Sequence, residues 1–222
     1  MVPEDNPSEF VAKHLSAYEF IRERVKGAKL LEVGFGDGYG MGYLSSSAGE
    51  ITGVDIAPEN QDRAAKKYPS KNLRFMHFDG YRFPFEDGQF DAVCSFQVIE
   101  HIPEGRLLEW LSEIGRVLKS DGHFYVSTLN LAHAMKPGQP YEKNHDHEKE
   151  FIASELNALL RQAFPDVRMF GLQYTLKQRF FKRLKKWGWK NQGRIVTTAD
   201  FRVSPENVHH SIDLIAVCGK NT

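Results

Sequence analysis

Four glycines at alternate positions form the stretch of the chain whose residue types most restrict its chemistry. They are Gly34, Gly36, Gly38 and Gly40. Glycine has no Cβ, so the main chain can turn sharply and approach a ligand closely at these positions. A helix that begins directly after them would present unpaired N–H groups to the same ligand. The stretch therefore predicts a binding site built largely from backbone.

The residue two positions before the glycines restricts the kind of ligand. Glu32 places a carboxylate at the end of an apolar strand, where it would attract a cationic group and repel a pyrophosphate. The dinucleotide fingerprint Gly-x-Gly-x-x-Gly also needs its third glycine one position later than Gly38. Both observations disfavour an NAD-linked oxidoreductase. A sulfonium ligand that carries an α-amino group suits the site better.

Two more acidic residues end the next two apolar runs. Asp55 follows the glycines by about twenty residues, a spacing at which a carboxylate can bind ribose hydroxyls. Asp79-Gly80 ends the following run, and a carboxylate can accept a hydrogen bond from an amine. With the acid and glycines of the first motif, these residues resemble class I S-adenosylmethionine-dependent methyltransferases. The resemblance implies that Asp55 binds the ribose, Ile56 contacts the adenine, and Asp79 with Gly80 lies beside the exocyclic amine.

A fourth motif extends the resemblance to the next strand. The segment 83–95 is similar to the family's approach to its fourth strand, and it is followed by Val-Ile-Glu-His at 98–101. The resemblance implies that Phe96 and Gln97 complete the cofactor site together with Phe35. No Asn-Pro-Pro-Tyr type motif follows this strand, which disfavours amino methylation of a nucleic-acid base.

Three histidines are the candidate catalytic residues. His145 and His147 lie in a loop at the end of the predicted fifth strand, where ligands bind in open α/β sheets, and His101 follows the fourth strand. Methyl transfer to a hydroxyl needs a base, and a histidine near neutral pKa is suitable. The alternative for each is a loop cap or a side chain in solvent. The segment 145–148 also contains metal-ligand types, but adjacent loop residues seldom converge on one ion, so no metal ligands are predicted.

The order of the predicted elements positions these residues. Apolar runs at 29–33, 51–54, 73–78, 90–96, 123–128, 167–174 and 211–218 alternate with helical patterns. This order predicts an α/β fold of the Rossmann-like, doubly wound type, with a mostly parallel seven-stranded sheet, helices on both faces and an antiparallel last strand. A single methyltransferase domain over 1–222 is expected. It comprises a leading helix (8–26), a cofactor-binding core with the acceptor loop (28–174), a basic insertion (175–200) and a closing strand (211–218).

Composition is that of an ordinary soluble domain. The 222 residues are 41% apolar and 26% charged, with a formal net charge of zero. Cys94 and Cys218 lie in apolar runs, which favours buried reduced thiols over a disulfide or a metal site. The chain shows no signal-peptide pattern and no apolar run long enough to span a membrane. A cytoplasmic location is therefore expected.

The basic insertion has three open interpretations. From 167 to 199 there are nine Lys or Arg residues and no Asp or Glu. Over 176–190, leucine and aromatic residues recur at helical spacing among these charges, which suits a helix at an anionic membrane surface. Over 176–194 the same residues could instead bind RNA. The third interpretation is a solvated lid whose apolar stripe packs on its own domain.

These patterns predict S-adenosylmethionine-dependent methyl transfer, with S-adenosylhomocysteine as the second product. The expected acceptor is a hydroxyl of a small molecule, a lipid-linked precursor or a sugar, because the acceptor loop is similar to that of ubiquinone-pathway and glycan-associated O-methyltransferases. An RNA methyltransferase that uses the basic segment is one alternative. A non-catalytic module that binds the cofactor is the other. Oligomeric state is left open by the sequence.

Overall fold

Strands and helices alternate along the first two thirds of the chain. The structure is a computed structural model that describes residues 3–5, 7–80, 82–135, 138, 140–187 and 194–220. The strands are β1 (Lys29–Val33), β2 (Glu50–Asp55), β3 (Leu73–His77), β4 (Phe90–Phe96), β5 (Leu118–Leu129), β6 (Asp166–Tyr174), β7 (Phe201–Ser204) and β8 (Asp213–Gly219). The α-helices are α1 (Ser8–Ile21), α2 (Tyr39–Leu44), α3 (Pro58–Lys67), α4 (Leu107–Val117), α5 (Leu131–Ala134), α6 (Ala153–Leu160) and α7 (Leu176–Lys186). Short 3-10 helices occupy Pro3–Asp5, Ile99–His101, Glu104–Arg106, Thr198–Asp200 and Val208–His210.

The strands form one sheet in the order β3-β2-β1-β4-β5-β8-β6-β7. Strands β1 to β5 pair in parallel, whereas β8 is antiparallel to both β5 and β6, and β7 is antiparallel to β6. The strand order reverses at β1, between β2 and β4. Ligands of doubly wound folds bind outside the carboxyl ends of the strands at such a reversal. The sequence-predicted glycine turn lies there.

Successive residues of the buried strands point to opposite faces of the sheet, and each face has its own core. Leu31 of β1 packs in the cluster covered by α4 and α6, and neighbouring Leu30 packs in the cluster covered by α1, α2 and α3. The predicted mostly parallel sheet with helices on both faces is thus confirmed. Cys94 and Cys218 are buried and free.

The structure corrects the predicted sheet in its strand count. An eighth strand, β7, adds to the β6 edge, with Leu172 opposite Val203 in the register. Four residues are too few to show the alternation that identifies a strand, and the sequence interpretation assigned the neighbouring residues to a basic insertion. Strand β5 begins at Leu118 rather than 123, because Leu118 already pairs with Phe90 ahead of a register shift. Helix α1 ends at Ile21, before the predicted end at 26.

The basic insertion predicted over 175–200 divides into ordinary elements. It contains α7 and the 3-10 helix that precedes β7, and residues 188–193 of this segment lie outside the described residues. Among the described helices, none combines the length and apolar character needed to cross a membrane.

Candidate active site

The turn between β1 and α2 forms one side of the crevice. Gly36 has a φ of +56°, in the left-handed region that favours glycine, and a Cβ built on it would meet nothing within 4 Å. Its main chain therefore borders open space. Gly38 differs, because a Cβ there would meet Ala64 of α3 at 2.8 Å. The absence of a Cβ at Gly38 lets the turn pack against α3, and its predicted main-chain contact with the cofactor stays a prediction. The amide of Gly34 donates to the Val54 carbonyl at 2.8 Å, so it belongs to the β1–β2 ladder.

A buried carboxylate ends β1. Glu32 is 1% exposed, and its Oε1 accepts a hydrogen bond from the Tyr18 hydroxyl at 2.6 Å. Its other oxygen, Oε2, is buried and has no hydrogen-bond partner among the described residues. Burial raises the pKa of Glu32 to about 8, against the lowering effect of the Tyr18 hydrogen bond and with a smaller raising effect from Asp55. An oxygen in this state calls for a cationic or hydrogen-bond-donating partner.

The carboxylate at the end of β2 connects two loops. Asp55 accepts from the Gly36 amide at 2.7 Å through Oδ2 and from the Ala57 amide at 2.9 Å through Oδ1. The Asn60 side chain adds a third donor at 3.0 Å. These bonds fix the carboxylate beside the glycine turn, at the mouth of the crevice.

The remaining predicted cofactor residues divide into surface and core. Ile56 is 69% exposed, and a Cβ on Gly80 would lie 3.5 Å from it, so these two residues border the same open surface. Asp79 is exposed beside them. By contrast, the Phe35 ring is buried against Phe75 at 5.2 Å between centroids. Its side chain cannot contact a ligand in the crevice, because it belongs to the core.

Two residues at the end of β4 line the opposite side. Phe96 is 9% exposed and meets the Tyr18 ring edge-on at 4.8 Å. Gln97 has a φ of +58°, which is uncommon for a residue with a Cβ. Its amide donates to the Ser127 carbonyl at 2.9 Å, and its side chain donates to the Ser127 hydroxyl at 3.2 Å. These two bonds to β5 hold the backbone in this conformation.

The loop between α5 and α6, which is the predicted acceptor loop, contains a buried histidine–carboxylate pair. His147 Nδ1 lies 2.6 Å from Glu150 Oε1, and their side chains are 9% and 2% exposed. Burial alone would raise the pKa of Glu150, but hydrogen bonds from Tyr141 and His147 hold it below its usual value. An ionised carboxylate only accepts hydrogen bonds, so Nδ1 carries the proton. Nε2, which lies 3.2 Å from the Asn144 side-chain nitrogen, is left as an acceptor.

The other two predicted histidines occupy different positions. His145 is 92% exposed and pairs with neighbouring Asp146 at 2.8 Å, so the structure places it in solvent rather than in the site. The turn that causes this is closed by the Asp146 amide, which donates to the Asn144 side chain at 3.2 Å. His101 is exposed, but its ring meets His147 edge-on at 4.9 Å, and its Nδ1 lies 2.8 Å from the Asp146 carbonyl.

Glu100 holds the loop and adds a third polar group to these histidines. Its carbonyl accepts from the amides of Glu148 and Lys149 at 2.8 and 3.1 Å. Its side chain is 1% exposed, and burial raises its pKa to about 7. Glu100, His101 and His147 each offer one ligand atom, and these atoms lie within 4.8 Å of one another. The three residues could hold a divalent cation, an arrangement that the segment 145–148 alone did not suggest.

A cavity of about 360 Å³, the candidate acceptor cavity, opens beside the pair of His147 and Glu150. His147 and Glu150 line it, as do Lys13 of α1 and Asp213 of β8, whose charged groups are 3.2 Å apart. The wall combines hydrogen-bonding groups with apolar ones in about equal measure. Its other members are Leu129, Asn130, His133, Ala134, Tyr141, Glu142, Asn144 and Ile212.

Comparison with known proteins identifies the fold and the cofactor. Residues 31–126 match a family described as "Methyltransferase domain". The chain is 33% identical over 151 residues to the "Probable S-adenosylmethionine-dependent methyltransferase" of Mycolicibacterium smegmatis, an alignment that covers 68% of this chain and 57% of that protein. The chain belongs to the class I S-adenosylmethionine-dependent methyltransferases.

Two further matches define the extent of this similarity. The tocopherol O-methyltransferase of Arabidopsis thaliana is 32% identical over 130 residues, which cover 55% of this chain and 37% of that protein. The structure of a methyltransferase from Thermotoga maritima aligns with a TM-score of 0.67 and 18% identity, over 95% of this chain and 92% of that one. The second match supports the fold only.

The chain spans just over half the length of the Mycolicibacterium smegmatis relative.

The residues at the crevice of this methyltransferase fit S-adenosylmethionine. The unpartnered Oε2 of Glu32 offers a buried acceptor for the ammonium group of the cofactor, and the main chain at Gly36 leaves open space beside it. Asp55 is fixed where it can accept from ribose hydroxyls, and exposed Ile56 offers an apolar surface for the adenine. When bound, S-adenosylmethionine would supply a methyl group from its sulfonium, and the remainder of the cofactor would leave as a thioether.

Four residues of the crevice and the cavity were not predicted from the sequence. Tyr18 lies in the predicted leading helix and was not assigned to the site. A buried tyrosine needs a partner for its hydroxyl, which is the available signal for its bond to Glu32. Glu150 follows His147 by three residues, and a buried acid in that position is the natural partner of a histidine. Nothing local links Lys13 with Asp213, because 200 residues separate them.

Proposed function

We propose that this methyltransferase transfers a methyl group to a hydroxyl of a polyhydroxylated small molecule, with a sugar or a lipid-linked sugar as the acceptor class. The observation that carries the proposal is the His147–Glu150 pair in the wall of the 360 Å³ cavity. The polar side chains of this wall could bind several hydroxyls of a polyol, which an apolar ring would leave unpaired, and its apolar residues could contact the carbon skeleton. The similarity to tocopherol O-methyltransferase supports oxygen as the methylated atom.

His147 has the geometry of a general base in this proposal. Glu150 holds the proton on Nδ1, so Nε2 is the acceptor and bonds the Asn144 side chain at 3.2 Å. An acceptor hydroxyl that replaces Asn144 there would lose its proton to Nε2 as the new C–O bond forms and the methyl–sulfur bond of the sulfonium breaks. Glu150 then stabilises the resulting imidazolium. Lys13 and Asp213, which line the same cavity, can bind further hydroxyls and so orient the acceptor.

The test is transfer of labelled methyl from S-adenosylmethionine to a panel of sugars, glycolipids and phenols. We expect sugar-type acceptors to be methylated and His147→Ala to lower kcat by about 10²–10⁴-fold, the usual contribution of a general base. His145→Ala is the matched control, because that side chain is in solvent two residues away. Calorimetry with S-adenosylhomocysteine shows whether both variants keep the cofactor site.

Three outcomes would count against the proposal. Equal activity of His147→Ala and wild type would show that His147 is not the general base. Cofactor binding without transfer to any acceptor would favour a non-catalytic module. Loss of activity in EDTA, restored by a divalent cation, would assign Glu100, His101 and His147 to metal binding rather than to proton transfer.

A further inference from the structure

Helix α7 is fixed to the domain by polar contacts along one side. The Lys182 ammonium lies 2.6 Å from Glu9 Oε1 and 2.8 Å from the Tyr174 hydroxyl, which itself donates to Glu9 at 2.6 Å. Gln178, one turn earlier, is 3% exposed and accepts from Arg194. These contacts determine which side of the helix faces the domain and which side faces outward.

The outward side of α7 is apolar. Leu176, Phe180 and Trp187 are 81%, 58% and 81% exposed. Their spacing of four and seven residues places them on one face of a helix, or of its direct continuation at Trp187. A solvated surface helix keeps its large apolar side chains on its inner face, as the half-buried Phe181 and Leu184 do here, whereas these three side chains face outward. The interpretation of the segment as a lid whose apolar stripe packs on its own domain is therefore wrong for these three residues.

Basic side chains lie beside this apolar face, and Arg183 lies among its members. Lys177, Arg179 and Arg183 are exposed on the same helix, and the segment 167–199 contains nine Lys or Arg and no acidic residue. An apolar centre with a cationic border matches a lipid bilayer with anionic headgroups, into which leucine, phenylalanine and tryptophan side chains insert to a shallow depth. RNA would favour flat side chains for base stacking, and Leu176 offers none.

We propose that the outward face of α7, defined by Leu176, Phe180 and Trp187 with their basic neighbours, docks this methyltransferase on an anionic membrane surface. The contact is peripheral. Glu9, which anchors α7, is one turn from Lys13 on α1, and Lys13 lines the acceptor cavity. Docking would therefore bring the acceptor cavity close to the membrane. The surface stands on these observations alone and does not depend on which acceptor is methylated.

The test is sedimentation of the full chain with two kinds of vesicle. One is phosphatidylcholine alone, and the other is an equal mixture of phosphatidylcholine and phosphatidylglycerol. We expect binding only to the mixed vesicles, weakened by salt because the charge contribution is screened. Binding to neither kind of vesicle, or equal binding to both, would overturn the proposal. Retention of single-stranded RNA in place of mixed vesicles would overturn it in favour of a nucleic-acid surface.

Matched variants assign the binding to α7. Leu176→Ala should weaken binding to mixed vesicles several-fold, whereas Leu108→Ala, which removes an exposed leucine of α4, should not. The double variant Phe180→Ala/Trp187→Ala should weaken it at least about tenfold. Thermal unfolding should be unchanged in all of them, since these side chains are exposed. Wild-type binding by the double variant would overturn the assignment.

Charge is tested separately from apolar contact. Replacement of Lys177, Arg179 and Arg183 by glutamine should weaken binding about a hundredfold at low salt, because each cation near an anionic surface contributes to affinity. The control replaces three exposed lysines elsewhere, Lys26, Lys66 and Lys71, and so removes the same net charge. Equal losses in the two triple variants would show attraction by overall charge and overturn docking through α7.

Discussion

The cofactor crevice and the acceptor cavity are built from different kinds of contact. In the crevice, Asp55 is held by the main-chain amides of Gly36 and Ala57, which belong to two turns at the ends of neighbouring strands. In the cavity, His147 is held by Glu150, and that carboxylate is held in turn by the Tyr141 hydroxyl. A site fixed by main chain depends on the fold, whereas a site fixed by side chains can change through single substitutions.

This difference suits the two tasks. A cofactor common to a whole family needs the same crevice in every member, so its carboxylates sit at strand ends. Acceptors differ, and the cavity accordingly draws on a loop, on Lys13 of α1 and on Asp213 of β8. Burial raises the pKa of Asp213, and Lys13 opposes that shift across 3.2 Å. Such a pair can be exchanged without disturbing the crevice.

The largest effect is expected from removal of the carboxylate that joins the turns. Asp55→Ala leaves the Gly36 and Ala57 amides and the Asn60 side chain without their acceptor. We expect the affinity for S-adenosylhomocysteine to fall about a hundredfold and the free energy of unfolding to fall by about 1–3 kcal/mol. Calorimetry and chemical denaturation measure the two effects.

Asp62→Ala is the control for Asp55→Ala, since Asp62 is exposed on α3. Unchanged cofactor affinity in Asp55→Ala would show that the carboxylate at the mouth of the crevice does not bind the cofactor. It would also break the comparison, because the main-chain-held carboxylate would then serve only the fold.

The same contrast explains what the sequence predicted well. The bounds of β1 and β4 agree with prediction because each is a short buried run with a clear stop, Gly34 after β1 and Gln97 after β4. The residue that ends a parallel strand is placed by the sheet. Glu32 was therefore assigned to the crevice from its position at the strand end, and Asp55 from its spacing together with the family resemblance. Their role toward the cofactor stays a prediction, although the structure places both carboxylates there.

What the sequence could not predict depends on tertiary packing. The short edge strand β7 exists because β6 offers an unpaired edge, and nothing in its four residues shows this. The inward position of His147 and the outward position of His145 follow from one turn closed by Asn144, so the histidine pattern alone could not separate them. The outward apolar face of α7 was visible as periodicity, but its direction was not.

A smaller effect is expected where one side chain positions another. Glu150→Gln keeps the shape and an acceptor oxygen but removes the charge that stabilises a protonated His147. A hydrogen bond to a charged group contributes about 1.5–3 kcal/mol, so kcat should fall about tenfold to hundredfold. The loss should fall on kcat rather than on KM, because the charge of Glu150 acts on the protonated His147 that forms during transfer.

Two measurements separate a positioning role of Glu150 from a structural one. S-adenosylhomocysteine affinity should be unchanged, since Glu150 is not part of the crevice, and Glu148→Gln, an exposed acid two residues earlier, should behave as wild type. If Glu150→Gln raised KM for the acceptor and left kcat unchanged, Glu150 would hold the loop rather than stabilise a protonated His147.

The smallest effect is expected from Glu32→Gln in the crevice, which should stabilise the fold and weaken cofactor binding. Burial raises the pKa of Glu32 to about 8 from an ordinary value of 4.5, so the folded protein holds a proton that the unfolded chain has released between those pH values. The stabilisation is complete below the unfolded pKa and is lost as pH rises to the folded pKa. Glu32→Gln cannot ionise, so its advantage over wild type should increase from pH 5 to pH 8.5.

We expect that advantage to reach at least about 1 kcal/mol at pH 8.5, which raises Tm by about 2–4 °C in a chain of this size. Glu23→Gln, at an exposed position, should show no such pH dependence. The same variant, Glu32→Gln, should bind S-adenosylmethionine more weakly if the unpartnered oxygen of Glu32 is the ammonium site, because a neutral amide then replaces the carboxylate. A variant that gained stability and kept full affinity would show that the unpartnered oxygen of Glu32 is not the ammonium site. The crevice would then share the cavity's dependence on side chains that the fold does not fix.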